Sequence, residues 1–181
     1  ASVNTLAAHL KQMEIQEIKP DVVIVDYADI LKPTTFYKEK RHSTGETYEN
    51  LRGMAGEFDI PIWTASQANR SSLEEEVIDA SKVSEDYSKV MTADFVMSIS
   101  RKVEDKIANT GRVHVIKNRF GIDGITFPAE INTNTGHIQV HEASTYAGKE
   151  AQGKMNNSEE YLRKTLAKKY NDLSPKTDGF E

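Results

Sequence analysis

The feature that most constrains this chain is a short apolar stretch that ends in a carboxylate. Residues 22–25 read Val-Val-Ile-Val, Pro20 precedes them and Asp26 comes directly after. A run of β-branched side chains predicts a strand covered on both faces, as in a parallel sheet between helices. Asp26 then stands at the carboxyl end of a strand, where open α/β sheets bind their ligands. Such an acid is either a ligand-binding residue, typically one that orients Mg²⁺ at a nucleotide, or a capping or turn residue.

A helix and a second strand follow, which predicts a parallel strand pair. The helix is indicated by apolar residues at helical spacing, namely Tyr48, Leu51, Met54, Ala55 and Phe58. We expect Thr44 or Thr47 to cap it. Residues 60–65 predict the next buried strand, and a strand, a helix and a strand in this order form a parallel unit with a right-handed crossover.

Polar side chains follow the second strand, at the sheet edge that also carries Asp26. They are Ser66, Gln67, Asn69 and Arg70. Because parallel strands end at the same edge, the two neighbouring strands deliver polar groups to one place. Two such strand ends together are better evidence for a site than either alone.

The remaining chain predicts an α/β fold with an antiparallel end. Residues 3–17 predict a helix that Asn4 or Thr5 caps, and residues 95–99 predict a further strand. Short strands then form a meander that closes one edge of the sheet, at residues 113–116, 125–127 and 137–140. The expected segments are a domain over 1–141, a linker over 142–157, and a short helix with a polar tail over 158–181.

Composition excludes several classes of protein. The 181 residues have a formal net charge of −5, contain no cysteine, and include five histidines without close metal-ligand spacing. Disulfides and thiolate metal sites are therefore excluded, and nucleic-acid binding needs a local basic patch. No apolar run approaches the roughly 20 residues that cross a bilayer, so we expect a soluble, intracellular protein without membrane contact.

A local basic patch is present in residues 30–47, where helical periodicity is lost. Its cations are Lys32, Lys38, Lys40 and Arg41, with hydroxyl and aromatic side chains between them. Cations, hydroxyls and aromatic rings together suit a polyanion backbone with stacked bases. The alternative is a solvated surface loop.

Five motifs in sequence order resemble one family. They are Val-Ile-Val-Asp-Tyr at 23–27, Arg-Gly-Met-Ala-Gly-Glu-Phe-Asp-Ile-Pro-Ile at 52–62, Ser-Gln-Ala-Asn-Arg at 66–70, Thr-Ala-Asp-Phe-Val-Met at 92–97 and Lys-Asn-Arg-Phe-Gly-Ile-Asp-Gly at 117–124. The combination resembles the C-terminal, RecA-like motor domain of DnaB-type replicative hexameric helicases, including bacteriophage members, over about residues 1–140. The resemblance implies a RecA-like P-loop NTPase core, a mostly parallel sheet flanked by helices with a C-terminal antiparallel hairpin.

The resemblance also implies roles for individual residues. Asp26 corresponds to the Walker B acid that holds Mg²⁺ through water beside the ATP phosphates. Gln67 corresponds to the glutamine that senses the γ-phosphate, and Ser66 would help to fix its strand end. Lys117 and Arg119 correspond to the basic pair that reaches into the neighbouring subunit's ATP site, with Arg119 as the arginine finger. Their spacing puts both side chains on one face of an extended segment, although a salt-bridged surface pair would have the same spacing.

The family grips single-stranded DNA with loops that line a central channel. By position these loops correspond to residues 32–46 and 71–90 of this chain. The implied DNA-binding residues are Lys32, Lys38, Lys40, Arg41 and Arg70.

One part of the family pattern is missing from these residues. The sequence contains no Gly-x-x-x-x-Gly-Lys-Ser/Thr phosphate loop and no candidate for the family's catalytic glutamate. We therefore expect a motor domain truncated before the Walker B strand, which uses ATP and Mg²⁺ only together with a half that carries the phosphate loop. Alone, it should neither bind ATP tightly nor hydrolyse it. The edge and apolar faces of its central strand should be uncovered, which favours self-association, a swap of elements between chains or a rearranged sheet.

Three functions are compatible with these motifs. The first is part of an ATP-dependent helicase that translocates 5′→3′ on single-stranded DNA as a homohexamer, in the cytoplasm of a bacterial cell or a phage-infected host. The second is a non-catalytic RecA-like module that binds DNA or a partner such as a primase, loader or polymerase. The third is a recombinase or clock-type ATPase of the same fold, which the Ser-Gln-x-Asn-Arg and Lys-x-Arg-x-Gly motifs disfavour.

Overall fold

The chain folds into two compact units, each with a core of its own. A computed structural model describes residues 1–34, 40–68, 88–157, 160, 162–164 and 166–168. The first unit contains the described residues up to 68 together with 88–96 and 116–123. The second contains 97–115 and the described residues from 124 onward.

The first unit begins with helix α1, Val3–Ile15, which starts at a capping box. Ser2 is the N-cap: its hydroxyl accepts a hydrogen bond from Thr5 N at 3.4 Å, and Thr5 Oγ1 accepts one from Ser2 N at 3.3 Å. These reciprocal bonds satisfy amides that the first helical turn leaves unpaired. The predicted cap at Asn4 or Thr5 is therefore wrong, because both residues already lie inside the helix.

A strand–helix–strand unit follows, as predicted. Strands β1, Val23–Val25, and β2, Ile62–Thr64, are parallel and pair from Val23↔Ile62 to Val25↔Thr64. A 3₁₀ turn, Ala28–Ile30, and helix α2, Lys40–Phe58, lie between them in sequence. The parallel pair is confirmed, although both strands are shorter than predicted.

Helix α2 buries the predicted apolar face in the core of the first unit. Tyr48, Leu51 and Met54 are buried, and Phe58 packs against them. The other buried members of this core are Val3, Leu10, Val25 and Ala28. An apolar side chain every three or four residues thus places one helix face against α1 and β1.

Helix α2 begins earlier than predicted, which corrects two predictions. Thr44 and Thr47 lie inside the helix instead of capping it, and Thr47 Oγ1 donates to Ser43 O at 3.0 Å. A threonine hydroxyl can bond to the carbonyl one turn back without ending a helix. Residues 40–46, predicted as part of a DNA-gripping loop, are therefore helical.

Residues 88–140 contain two short helices and an antiparallel meander of strands. The elements in chain order are α3, Ser88–Thr92; β3, Phe95–Ser100; α4, Val103–Ala108; β4, Thr110–Asn118; β5, Thr126–Asn132; and β6, His137–Val140. Strands β3 to β6 form one sheet in sequence order, and the pairs β4–β5 and β5–β6 are antiparallel. The predicted meander is confirmed. It does not extend the β1–β2 sheet as expected, because its hydrogen-bonded neighbour is β3.

The second unit has a small core of its own. Val113, Ala129 and Ile131 are buried together, with Phe127 against them. In the same unit α4 carries a fully buried carboxylate, Asp105. Arg112 Nη1 lies 2.6 Å from Asp105 Oδ2, which supplies the partner that a buried charge requires.

A helix occupies most of the segment predicted as a linker. Helix α5, Tyr146–Asn156, begins after Thr145, whose hydroxyl accepts a hydrogen bond from Gly148 N at 3.1 Å. It buries Gly148, Ala151 and Met155. The prediction of a linker over 142–157 is wrong, because the small residues that suggested flexibility instead permit close packing. At Gly148, an added Cβ would collide with the carbonyl oxygen of Glu142.

The end of the chain is described in part. Residues 160, 162–164 and 166–168 are helical, which agrees at these positions with the helix predicted within 158–181. The predicted polar tail lies outside the described residues. In the part of the chain that the structure describes, no helix combines the length and apolar character needed to cross a membrane.

Candidate functional site

Two parallel strand ends bring the predicted acid and glutamine to one edge. Val25 and Thr64 are register partners at the ends of β1 and β2, and Asp26 and Gln67 follow these ends. Thr64 Oγ1 donates to Val25 O at 2.9 Å and accepts a hydrogen bond from Ala28 N at 2.9 Å. The two hydrogen bonds of this hydroxyl therefore connect the turn after β1 to the end of β2.

Gln67 contacts the residue next to Asp26. Its Nε2 donates to the Tyr27 hydroxyl at 3.3 Å, and the Asp26–Tyr27 peptide bond is cis. Asp26 is exposed, and its carboxylate has no ion-pair partner among the described residues. As far as the described residues are concerned, the carboxylate is open to hydrogen bonds from a ligand or its water.

Ser66 belongs to a charged network that the sequence did not reveal. Its hydroxyl donates to Asp29 Oδ2 at 3.0 Å and accepts a hydrogen bond from Lys89 Nζ at 3.1 Å. Lys89 Nζ lies 2.9 Å from Asp29 Oδ1, and the Tyr48 hydroxyl donates to the same oxygen at 2.8 Å. The network joins the turn after β1, the segment after β2, and helices α2 and α3.

The network fixes the charge state of Asp29. Burial alone would raise the pKa of this carboxyl, but hydrogen bonds from Lys89 and Tyr48, the charge of Lys89 and a hydrogen bond from Ser66 together lower it below its ordinary value of 3.8. Asp29 is thus ionised at neutral pH. Burial, followed by the hydrogen bond and charge of Asp29, raises the pKa of Tyr48 above its usual range, so that its hydroxyl remains a donor.

The predicted basic pair is bound within the chain, at the end of β4. Lys117 Nζ donates to the carbonyl oxygens of Val90 and Met91 at 3.0 and 2.8 Å. Arg119 Nη1 lies 2.5 Å from Asp94 Oδ1, and Arg119 N donates to Asp94 O at 2.9 Å. Both side chains therefore face residues 90–94, which agrees with the prediction that they share one face of the segment.

Asp94 also binds a second arginine, Arg52. Arg52 Nη1 lies 3.0 Å from Asp94 Oδ1 and donates to the carbonyl oxygen of Thr92. Three cations thus gather around one carboxylate. Burial lowers the pKa of Lys117, and the charge of Arg119 lowers it further. The charge of Asp94 acts in the opposite direction, and the charge of Arg52 adds to the lowering. Such an excess of positive charge, with planar guanidinium groups, suits phosphate oxygens.

The predicted DNA-binding residues are described only in part. Lys32 is exposed, and its backbone amide donates to Ala1 O at 2.9 Å. Lys40 and Arg41 lie in the first turn of α2. Lys38 and Arg70 lie outside the described residues, as does most of the predicted loop 71–90. The DNA interface remains a prediction.

A family comparison accounts for the motifs around this site. The model of the DnaB-like helicase C terminal domain matches residues 1–165. This chain belongs to that family. The match includes α5, beyond residue 140 where the resemblance carried by the motifs ends.

Similar proteins are longer than this chain. The DnaB-like replicative helicase of Enterobacteria phage T4 is 28% identical over 125 residues, which are 67% of this chain and 26% of the phage protein. Two solved structures each have a TM-score of 0.68 at 21% identity over 78% of this chain. One is the ATPase domain of another protein, of which 52% is covered, and the other is a DnaB-like replicative helicase studied with its interactions with primase, of which 35% is covered.

The structural likeness confirms the predicted fold, a RecA-like ATPase core. At this level of identity it establishes the fold alone. The chain spans about a quarter of the phage relative's length, because the matched part is 26% of that protein. The DnaB-type family assignment made from the motifs is also confirmed.

The residues at the strand ends fit Mg²⁺ with a nucleotide if waters and phosphate oxygens supply most of the ligands of the ion. Among the described residues, no group of three or more His, Cys, Asp or Glu side chains is placed to hold a metal ion. Mg²⁺ usually keeps several waters and takes other ligands from phosphates. An exposed carboxylate such as Asp26 is the kind of group that would hold Mg²⁺ through water.

Proposed function

We propose that this chain is part of the motor of an ATP-dependent replicative DNA helicase that translocates along single-stranded DNA as a homohexameric ring. The observation that carries the proposal is that Asp26 and Gln67 follow the ends of two adjacent parallel strands. Asp26 and Gln67 form the first half-site, in the chain's own ATP site. Lys117, on β4, and Arg119, directly after β4, form the second half-site, in the ATP site of a neighbouring subunit. Membership of the DnaB-like helicase family supports both assignments.

In the chain's own ATP site, Asp26 and Gln67 have different tasks. Asp26 would hold Mg²⁺ through water, and the ion, when bound, would neutralise phosphate charge. Gln67 donates to the Tyr27 hydroxyl at 3.3 Å, a long bond that an amide can exchange for a phosphate oxygen. Gln67 thus senses the γ-phosphate while Ser66 holds the strand end.

In the neighbouring subunit's ATP site, Lys117 and Arg119 stabilise phosphate charge. The Arg119 side chain is 44% exposed, so a second subunit has access to its guanidinium. An arginine supplied in trans stabilises the charge that develops on the transferred phosphoryl group. Lys117 provides a point charge beside it.

The 181 residues contain no phosphate loop, so ATP binding needs a half that carries one. A bare apolar surface on β1 and β2 supports this division. Ile24 and Trp63 are register partners yet 75% and 48% exposed, and the Phe95 ring lies 5.9 Å from the Trp63 ring. We propose that the phosphate-loop half covers this apolar surface and that the chain alone is inactive.

The DNA and protein partners follow from the same proposal. Lys32, Lys38, Lys40, Arg41 and Arg70 contact the DNA backbone. For each of these cations that contacts a phosphate, the slope of the logarithm of the binding constant against the logarithm of the salt concentration should become steeper by about one unit. A primase or a helicase loader is the proposed protein partner, since one similar helicase has been studied with its interactions with primase.

The test measures binding of a fluorescent ATP analogue and labelled oligo-dT to the chain, alone and mixed with a phosphate-loop half. We expect nucleotide binding and hydrolysis only in the mixture. Asp26→Asn should abolish hydrolysis there, whereas Asp21→Asn, at the other end of β1, should not. Hydrolysis by the chain alone would contradict the proposal. DNA binding without any nucleotide effect in the mixture would instead favour a non-catalytic module.

A further inference from the structure

Helix α3 contains a buried lysine, Lys89, whose ammonium group contacts residues near the two strand ends. The Lys89 side chain is 4% exposed, and its ammonium contacts Asp29 at 2.9 Å, Ser66 at 3.1 Å and the Tyr48 ring at 5.5 Å from the centroid. A buried charge is costly unless it is paired and hydrogen-bonded. Displacing Lys89 from these partners is therefore unfavourable, which fixes α3 against the strand ends.

The other end of the same helix holds the basic pair. The carbonyl oxygens of Val90 and Met91 accept hydrogen bonds from Lys117, and Asp94, two residues after the helix, binds Arg119. Carbonyl groups at the end of a helix lack partners within the helix, so they accept these bonds readily. A segment of six residues, 89–94, thus contacts both proposed half-sites.

We propose that α3 couples the two half-sites, with Lys89 as the positioning residue at the junction. This inference rests on the proposed function, which assigns the two half-sites to different ATP sites of a ring. When Gln67 moves toward a γ-phosphate, the adjacent Ser66 moves with it and pulls Lys89. The helix then carries Lys117 and Arg119 toward or away from the neighbouring subunit.

The physical basis is a continuous set of polar contacts that meets on one short helix. Ser66 Oγ contacts both Lys89 and Asp29, so a shift of Ser66 changes both bonds at once. Helix α3 has only five residues, so the carbonyl groups that receive Lys117 lie directly beside Lys89 in the chain. Energetic coupling between sites is carried by such networks when they join elements with alternative positions.

The test follows the Lys117 side chain by NMR in the chain itself, with ¹³Cε-labelled lysine and Lys117→Arg for assignment. We compare Lys89→Met and Asp29→Asn with Lys11→Met, which changes a lysine that is 60% exposed in an ion pair with Glu57. If α3 is displaced, Lys117 leaves the carbonyl groups and becomes solvated. Its pKa should then rise toward 10.5 in both network variants and stay unchanged in the control.

The two network variants separate displacement from a direct charge effect. Removal of the positive charge of Lys89 raises the pKa of Lys117 by electrostatics alone, whereas removal of the negative charge of Asp29 lowers it. A rise in both variants supports the coupling. Opposite shifts, or no shift in Asp29→Asn, would overturn it. Should Lys89→Met fail to fold, Asp29→Asn alone decides the question by the sign of its shift.

This result does not depend on nucleotide, so the coupling and the proposed function can fail separately. In a mixture that hydrolyses ATP, Lys89→Met should lower kcat more than it changes KM, because it leaves Asp26 and the basic pair present but misplaced. A kcat equal to that of wild type would contradict the coupling. Absence of hydrolysis in the wild-type mixture would contradict the proposed function alone.

Discussion

The guanidinium group of Arg119 is bound by Asp94 of the same chain, with Nη1 2.5 Å from Oδ1. Arg52 binds the same carboxylate oxygen. The residue proposed to act on a neighbour's ATP is therefore held by a carboxylate that it shares with another arginine. Both Asp94 and Arg119 are partly exposed, and exposed ion pairs are weak enough to exchange for a phosphate group.

Replacing Asp94 should impair catalysis with little loss of stability. In Asp94→Asn, Arg119 and Arg52 lose a charged partner that is 40% exposed, so the free energy of unfolding should fall by no more than about 1 kcal/mol. ATP hydrolysis in the mixture with a phosphate-loop half should fall, because Arg119 is no longer oriented, while nucleotide affinity stays constant. Urea unfolding and steady-state kinetics measure both effects. Asp123→Asn, at an exposed turn, is the control, and unchanged hydrolysis in Asp94→Asn would contradict the prediction.

Asp29 should make the chain lose stability in acid. The pKa of this carboxyl is lower in the folded chain than its ordinary value of 3.8, so its contribution to stability is present above that value and is lost as pH falls through the folded pKa. Asp29→Asn should therefore flatten the fall in the free energy of unfolding that wild type shows as pH drops from the ordinary value of 3.8 through the lower pKa of the folded chain.

Urea unfolding at several pH values measures this dependence. Ser66→Ala removes only one of the hydrogen bonds that lower the pKa of Asp29, so it should flatten the curve less. An identical pH dependence in wild type and Asp29→Asn would show that the Lys89 contact is not formed in solution.

Two glycines of α5 should respond to alanine in opposite directions. Gly148→Ala forces a Cβ against the carbonyl oxygen of Glu142, which should cost about 1–3 kcal/mol, as overpacking does. Gly153→Ala meets no atom within 4 Å and removes a flexible residue from a helix, so it should gain about 0.5–1 kcal/mol. Urea unfolding of the two variants measures both. Equal, small effects would mean that residues 142–157 form the flexible linker expected from the sequence.

The exposed apolar surface on β1 and β2 should drive self-association. Light scattering of the wild-type chain should give a mass above 20.3 kDa, and Ile24→Lys should bring it close to that value. Ile122→Lys is a matched control, because Ile122 is also 75% exposed but lies in the turn after β4. Both variants should keep the free energy of unfolding within about 0.5 kcal/mol, as surface changes usually do. A monomeric wild-type chain would contradict the prediction.

Local patterns predicted the elements that position the site. The β-branched run at 22–25 and the apolar face of α2 indicate burial by themselves, so the parallel pair and the edge with Asp26, Ser66 and Gln67 followed from the sequence. The helix in residues 146–156 could not be predicted, because its glycines and alanines are equally typical of linkers. Its close packing depends on β5, which lies earlier in the chain.

The contacts that complete the site join residues that are far apart in the sequence, so the local sequence pattern did not predict them. Arg52 donates to Thr92, 40 residues away, and nothing near either residue indicates the other. Lys89 is a lysine in a short polar segment, so its burial depends on Asp29 and Ser66, which are brought to it only by the fold. Asp94 did have a signal, since it lies within one of the motifs that resemble the family.

The most direct test of the central claim asks whether Asp26 and Arg119 act in one ATP site across two chains. Asp26→Asn and Arg119→Ala chains are assayed for ATP hydrolysis separately and as an equal mixture, each with the phosphate-loop half. Separately both should be inactive, with a loss of roughly 10³-fold or more for Arg119→Ala. In the mixture about a quarter of the ring interfaces join an intact Asp26 to an intact Arg119, so hydrolysis should return. No recovery in the mixture would contradict a shared site between neighbouring subunits.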